Sequence, residues 1–177
     1  EEVARLYGYE KLPDVPPMAE AKMIMRPEGS RIAHDIRMQL ADMGYQELIN
    51  FSFVPEAWET DFAANDNPIR LLNPIASQLS VMRTQMIGGL VDILKYNLNR
   101  KVASAKLFEV GRIFVRDESV VTTEWSVKGV RQPVRVAGLL YGDAAGEQWG
   151  EKARLVDFFD GKGDVERLIA PKTAQFV

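Results

Sequence analysis

Few residue pairs in this chain of 177 residues are placed to hold a phosphate, a metal ion or a proton. Arg-x-Glu occurs at Arg26–Glu28 and at Arg116–Glu118. Residues two apart on a strand point to the same face, so a guanidinium and a carboxylate so spaced can act together. A bare three-residue pattern also arises by chance, and the second copy lies where a strand gives way to a polar turn. Glu109 and Arg112 are three apart, so on a strand they face opposite sides. "GKGDVER", Gly161 to Arg167, reads as a turn and helix start, with Asp164 near the N-terminal end of the helix dipole. Glu1 and Glu2 offer hard carboxylate oxygens of the kind Mg²⁺ takes, although adjacent acids on an exposed helix are ordinarily just solvated. Arg83 suits a bidentate, partly buried pair with a carboxylate, either across an interface or within the chain. His34, the lone histidine, sits beside Asp35 on a helix and reads as solvated or hydrogen-bonded. Trp58, Trp125 and Trp149 read as core or loop anchors, with an interface as the other possibility. No nucleophile–base pair, Walker loop or glycosidase-type carboxylate pair stands out.

Composition narrows the classes. Lys and Arg total 22 against 25 Asp and Glu, giving a net charge of −3 and a pI near 5.3, which speaks against a surface built mainly to grip phosphates. Without cysteine, thiolate zinc sites, disulfides and cysteine nucleophiles are excluded. That lack fits a cytoplasmic protein. No apolar run approaches the roughly 20 residues needed to span a bilayer, and the N-terminus lacks the form of a signal peptide. With 46% hydrophobic residues the chain can bury a substantial core. The opening "EEVARLYGYE" reads as a helix already under way, so the chain is expected to be a piece of something longer.

The elements that must position these residues follow from periodicity. Glu1 to Tyr7 has helical spacing and stops at Gly8. "KLPDVPPMAEA" has three prolines that disfavour helix and central strand, so residues 11–26 are expected to form a linker. Ile32, Ile36, Leu40 and Met43 predict a helix over 27–43, ended by Gly44, and "YQELINFSFV" predicts a strand. "IRLL" reads as a short strand broken at Asn73–Pro74. Met86, Ile87, Leu90, Leu94 and Leu98 form one helical stripe, predicting a helix over 86–100. "KLFEVGRIFV" switches to period two and is apolar on both faces, as a strand buried on both faces is. After a polar connection, "QPVRVAGLLYG" reads as another strand, and "LVDFFDGKGDVERLIAP" ends as a helix. This order predicts an α+β fold with a largely antiparallel sheet flanked by helices.

Five segments in this order, "EEVARLYGYEKLP", "NFSFV", "LLNPIASQLSVMRTQMIGGLVDILKYNLNR", "LFEVGRIF" and "VDFFDGKGDVERL", make the chain resemble the β subunit of bacterial phenylalanyl-tRNA synthetase. Gly88 departs from the pattern, taking a place usually held by proline; this is expected to loosen the helix start and touch nothing chemical. The resemblance implies that residues 1–10 are the tail of a winged-helix-like domain. It also implies that residues 27–177 are a truncated, non-catalytic core resembling that of a class II aminoacyl-tRNA synthetase. It implies a partner α subunit carrying the active site, in an assembly of two α and two β chains, with ATP as substrate on α and tRNA bound by the whole enzyme. A Mg²⁺ shared with α would take Glu1 and Glu2 as β-side ligands, the set being incomplete in this chain.

On the residues alone, a class II site needs cations for ATP phosphates and carboxylates for Mg²⁺. The strand that should carry them has Glu109 and Arg112 on opposite faces. No catalytic residue is therefore assigned, and the expected role is a scaffold that docks α through the helices at 27–43 and 86–100. Two other classes stay open: a working ATP-dependent ligase core, and a tRNA-binding module, against which the acidic pI stands.

Overall fold

A computed structural model describes residues 1–16, 18–21, 31–150, 152–174 and 176. Arg26–Glu28 and the expected helix start at Pro27 lie outside the described residues. The chain divides into two compact units, Glu1–Ser30 and Arg31–Val177.

In the first unit, helix α1 (Glu2–Tyr7) ends at Gly8, whose φ of 101° belongs to the left-handed range that favours glycine. A 3-10 turn, Tyr9–Lys11, follows, and the described residues from Leu12 to Ala21 form neither helix nor strand.

The second unit contains helix α2 (Ala33–Asp42), strands β1 (Gln46–Glu47) and β2 (Phe53–Val54), helix α3 (Glu56–Ala63) and strand β3 (Val81–Met82). Helix α4 (Ile87–Leu98), strands β4 (Ala105–Arg112), β5 (Val115–Arg116), β6 (Val130–Arg131) and β7 (Val134–Tyr141), and helix α5 (Phe158–Ile169) complete it. The main sheet has the order β1-β4-β7. Strand β4 runs antiparallel to β7 along its whole length, from Ala105 opposite Tyr141 to Arg112 opposite Val134. Strand β1 joins parallel to β4. The remaining pairs, β2–β3 and β5–β6, are antiparallel. The fold is α+β with mostly antiparallel pairing, as the element order predicts.

Helices cover both faces of the sheet. Leu40, Met43, Tyr45 and Phe108 form a buried cluster, with Ile36, Val110, Leu140 and Leu168 packed around it; these residues bring α2 and α5 to the face bearing Phe108. Helix α4 packs against β4 and β7 on the face bearing Leu107 and Glu109. Strand β4 is thus buried on both sides at Leu107, Phe108 and Glu109, which explains its lack of polar/apolar alternation. Among the described residues strand β7 has a partner on one edge only, and Val134, Val136 and Tyr141 are exposed on it.

Several expectations give way. The predicted strand "YQELINFSFV" is two short strands in different sheets, β1 and β2, because the chain leaves β4 after Leu48 and turns to meet β3. "IRLL" contributes only an isolated bridge, Arg70 to Val81. The "KLFEVGRIFV" ladder breaks at Ile113 and Phe114, where the Phe114 amide leaves the sheet to donate to the Arg83 carbonyl (2.9 Å). "GKGDVER" is not a helix start. Asp157 caps α5 four residues earlier, accepting from the amides of Phe159 (2.8 Å) and Asp160 (3.2 Å), while Asp160 accepts from the Asp157 amide. This reciprocal capping box puts Gly161, Gly163 and Asp164 inside the helix.

Asp164 works as a cross-element anchor. It accepts a hydrogen bond from the Tyr45 hydroxyl at 2.8 Å, and Lys106 lies 3.9 Å away. Burial, and then the bond to Asp164, push the Tyr45 phenol well above its ordinary pKa. Folded protein therefore retains a proton that the unfolded chain releases near pH 10, and the stability this confers is present below that pH and lost above it. Urea midpoints measured between pH 8 and 11 are expected to fall on the alkaline side, with a shallower fall in Tyr45→Phe.

Candidate functional site

Two of the three buried charged residues in the described chain meet on the α4 face of the sheet. Arg83 follows β3, and its backbone is fixed at both ends: its amide donates to Ser52 (3.0 Å) and its carbonyl accepts from Phe114. Its guanidinium enters the sheet face, with NH1 2.6 Å from Glu109 Oε1 and only 4% of either side chain exposed. Arg83 Nε donates to the Arg112 carbonyl at 3.0 Å, and Asn50 Nδ2 donates to Glu109 Oε2 at 2.9 Å. The arginine thus forms an intrachain pair, one of the two roles its sequence context suggests. The guanidinium fits because residue 111 is glycine: a Cβ there would stand 2.4 Å from Arg83 NH2 and 3.0 Å from Glu109 Oε1.

A second buried carboxyl lies nearby in the fold. Glu59 of α3 is 1% exposed and takes three hydrogen bonds: from the Thr84 amide (2.9 Å), the Thr84 hydroxyl (2.6 Å) and Asn65 Nδ2 (2.7 Å). Residues 83 and 84, adjacent in sequence, therefore tie β3 to β4 and to α3. Among the described residues no buried side-chain nitrogen or oxygen lacks a partner.

Beside this network opens a cavity of about 320 Å³. Phe51, Phe53, Trp58 and Met86 give it apolar walls; Asn50, Arg83 and Asp92 supply polar edges. Gly88 has a definite packing role here. A Cβ at Gly88 would lie 2.6 Å from the Trp58 ring, and one at Gly89 would lie 3.0 Å from Asn50 Nδ2. The glycine pair lets α4 close on α3 and on the segment around Asn50, an effect the expectation of a loosened helix start misses.

The sequence-predicted residues fall as follows. Arg116 holds carbonyls, its Nε donating to Asn67 (3.1 Å) and its NH2 to Pro68 (3.3 Å); no bond joins it to Glu118. Arg112 is on the exposed end of β4 and donates to the Gln132 carbonyl at 2.8 Å, away from the buried Glu109. His34 is exposed. Trp58 is half-buried, whereas Trp125 and Trp149 are 86% and 107% exposed, so neither is a core anchor. Glu1 caps α1 without a side-chain cap bond, and Glu2 accepts from Arg5 Nε (3.0 Å) and NH2 (2.6 Å). Among the described residues no three His, Asp or Glu side chains converge on a possible metal position.

Asn50, Glu59 and Gly111 are members of the network that sequence reading overlooks. Gly111 carries a usable signal: a glycine between bulky residues in a buried strand marks a close approach by another group. A buried glutamate such as Glu59 leaves no such trace.

This arrangement can fix geometry and present an apolar recess. No helix among the described residues is long and apolar enough to cross a membrane. The family described as the phenylalanyl tRNA synthetase beta chain CLM domain matches residues 12–174. That range includes most of the stretch read as a linker. Similar curated proteins include the phenylalanine–tRNA ligase beta subunits of Cupriavidus pinatubonensis, 58% identical over 99% of this chain, and of Ralstonia nicotianae, 56% identical over 99%. That of Burkholderia pseudomallei is 55% identical over 100%. The chain covers 22% of the length of each of these relatives. The chain therefore belongs to the phenylalanyl-tRNA synthetase β-chain family.

Proposed function

We propose that this chain is a non-catalytic, class II-like core of the β subunit of a cytoplasmic phenylalanine–tRNA ligase, and that it docks the α subunit and holds the enzyme's geometry. On this reading ATP and phenylalanine are handled on α, and the assembly of two α and two β chains charges tRNA. The observation that carries the proposal is the use of charge on the α4 face. Arg83, Glu109 and Asn50 spend their hydrogen bonds on one another and on backbone, and Arg116 spends its own on loop carbonyls. A nucleotide site needs donors and carboxylates left for the ligand.

Exposed apolar groups support docking. Ile49 and Phe51 are 94% and 66% exposed and both line the cavity; Ile87, 49% exposed, follows Met86 of the same lining. Such a cluster suits a protein interface.

Glu1 and Glu2 would give carboxylate oxygens to a Mg²⁺ shared with α, a donor type this ion accepts. Glu2 would exchange Arg5 for the ion, and the other ligands would come from outside this chain.

Mixing the chain with a purified α subunit of such an enzyme is expected to give a complex on size-exclusion chromatography. Separate elution of two folded proteins would count against docking. Tight equilibrium binding of Mg·ATP by the chain alone would favour a working ligase core instead.

A further inference from the structure

Although the chain is acidic overall, charge is unevenly spread. Between Asp92 and Glu109 there is no carboxylate, and the charged residues are Lys95, Arg100, Lys101 and Lys106. The first three gather at the C-terminal end of α4. Arg100 is laid flat: its guanidinium carbon sits 3.4 Å from the centre of the Tyr96 ring, and its NH1 donates to the Tyr96 carbonyl at 3.0 Å. Tyr96 is 54% exposed. Lys101 stands just past the helix with φ 66° and is exposed, as is Lys95. Neither lysine forms an ion pair among the described residues. Lys106 differs, lying near Asp164 and the Tyr45 ring.

The helix dipole favours cations in the last turn, which accounts for Arg100 capping a carbonyl. The same preference covers Lys95 in the last turn; Lys101 lies beyond the helix, and with the stacked arginine the three cations form an exposed patch that holds no carboxylate of its own segment. Lys95 lies in the last turn of α4 and Lys101 three residues past Leu98, one on each side of the stacked arginine in sequence. With NH1 committed to the Tyr96 carbonyl, the stacked guanidinium is held in place, and its remaining N–H groups are pre-oriented for phosphate oxygens. Ile87 of the apolar docking cluster begins α4 and Lys95 lies about 12 Å further along its axis, in the last turn, so the two surfaces sit at opposite ends of the helix.

We infer that the C-terminal end of α4, formed by Lys95, the Tyr96–Arg100 stack and Lys101, contacts the phosphate backbone of tRNA in the assembled enzyme. This rests on the reading of the chain as a β-subunit segment. The contact is sequence-independent, acts through charge, and adds to whatever surface recognises the tRNA as such.

The test uses the assembled α–β enzyme with the β subunit carrying Lys95→Glu and Lys101→Glu together, titrated with purified tRNA from about 50 to about 200 mM salt. Loss of two phosphate contacts is expected to flatten the slope of log K against log salt by about 1.4 to 1.8, with affinity at the low-salt end down roughly tenfold. Activation of phenylalanine by ATP without tRNA should stay unchanged, which shows that the variant is folded and assembled. Lys128→Glu, which reverses an exposed charge elsewhere, should leave the slope as it was. An unaltered slope in an enzyme that assembles and activates phenylalanine overturns this inference alone. So does an equal effect from Lys128→Glu, or loss of α from the double variant, which would mean an acidic protein surface is the occupant. Failure of the unmodified β subunit to join α overturns the earlier reading and this inference with it.

Discussion

Glu109→Ala is expected to destabilise the fold by about 3–5 kcal/mol, because it leaves the Arg83 guanidinium buried with no carboxylate to meet it. Arg83 cannot easily swing into water, since its backbone is pinned to Ser52 and Phe114 and its Nε to the Arg112 carbonyl. Asn50 loses its acceptor in the same substitution, so the segment leading from β1 to β2 should loosen as well. Urea unfolding of the chain measures the loss. The double variant Arg83→Met, Glu109→Leu should recover most of it, because an apolar pair of similar volume removes both desolvation costs. Under about 1 kcal/mol for Glu109→Ala would place the pair in the range of solvent-exposed bridges, contrary to the burial described. If the chain docks α as proposed, the single variant should also weaken that complex, through Asn50 and Phe51, while the double variant restores it.

Phe108→Ala is expected to cost about 3–5 kcal/mol, the usual range for truncating a buried aromatic to alanine. Phe108 is 1% exposed and meets Tyr45 edge to face, with ring centres 6.5 Å apart and planes at 82°. Its neighbours Leu40 and Met43 come from α2 and its terminus, whose other ties to the sheet are few: Arg37 reaches Glu47 (2.5 Å) and the Val110 carbonyl (3.4 Å). Removing the ring should therefore release α2 before the β4–β7 ladder, with helix amides losing hydrogen-exchange protection first. Phe108→Leu should lose less, in proportion to the smaller cavity. Equal loss of protection in α2 and in β4 would show that the layers do not open separately.

The long elements were legible because a single physical cause shaped them. The apolar stripe on α4 reflects burial against one surface, which writes a helical period into the sequence, and the apolar run of β4 reflects burial on both faces. The shorter elements were not legible. Helix α3 was missed: Glu56 and Glu59 suit its first turn, but its one buried residue is the charged Glu59, so no apolar stripe announces it. Strands β1 and β2, two residues each, are set by what they pair with rather than by local preference. Helix α5 began earlier than expected because Gly161 and Gly163 look like helix breakers. The Asp157–Asp160 capping box offsets that cost. The candidate site followed the same division. Arg83 stood out by type, while Asn50 and Glu59 became visible only once distant segments met.

Along the eight residues of β7, every second one turns its amide and carbonyl away from β4, with valine and tyrosine side chains beside them and Arg135 as the lone charge. A margin of that kind is a template onto which any extended peptide can zip. An unpaired margin of this kind invites backbone pairing between copies of the isolated chain.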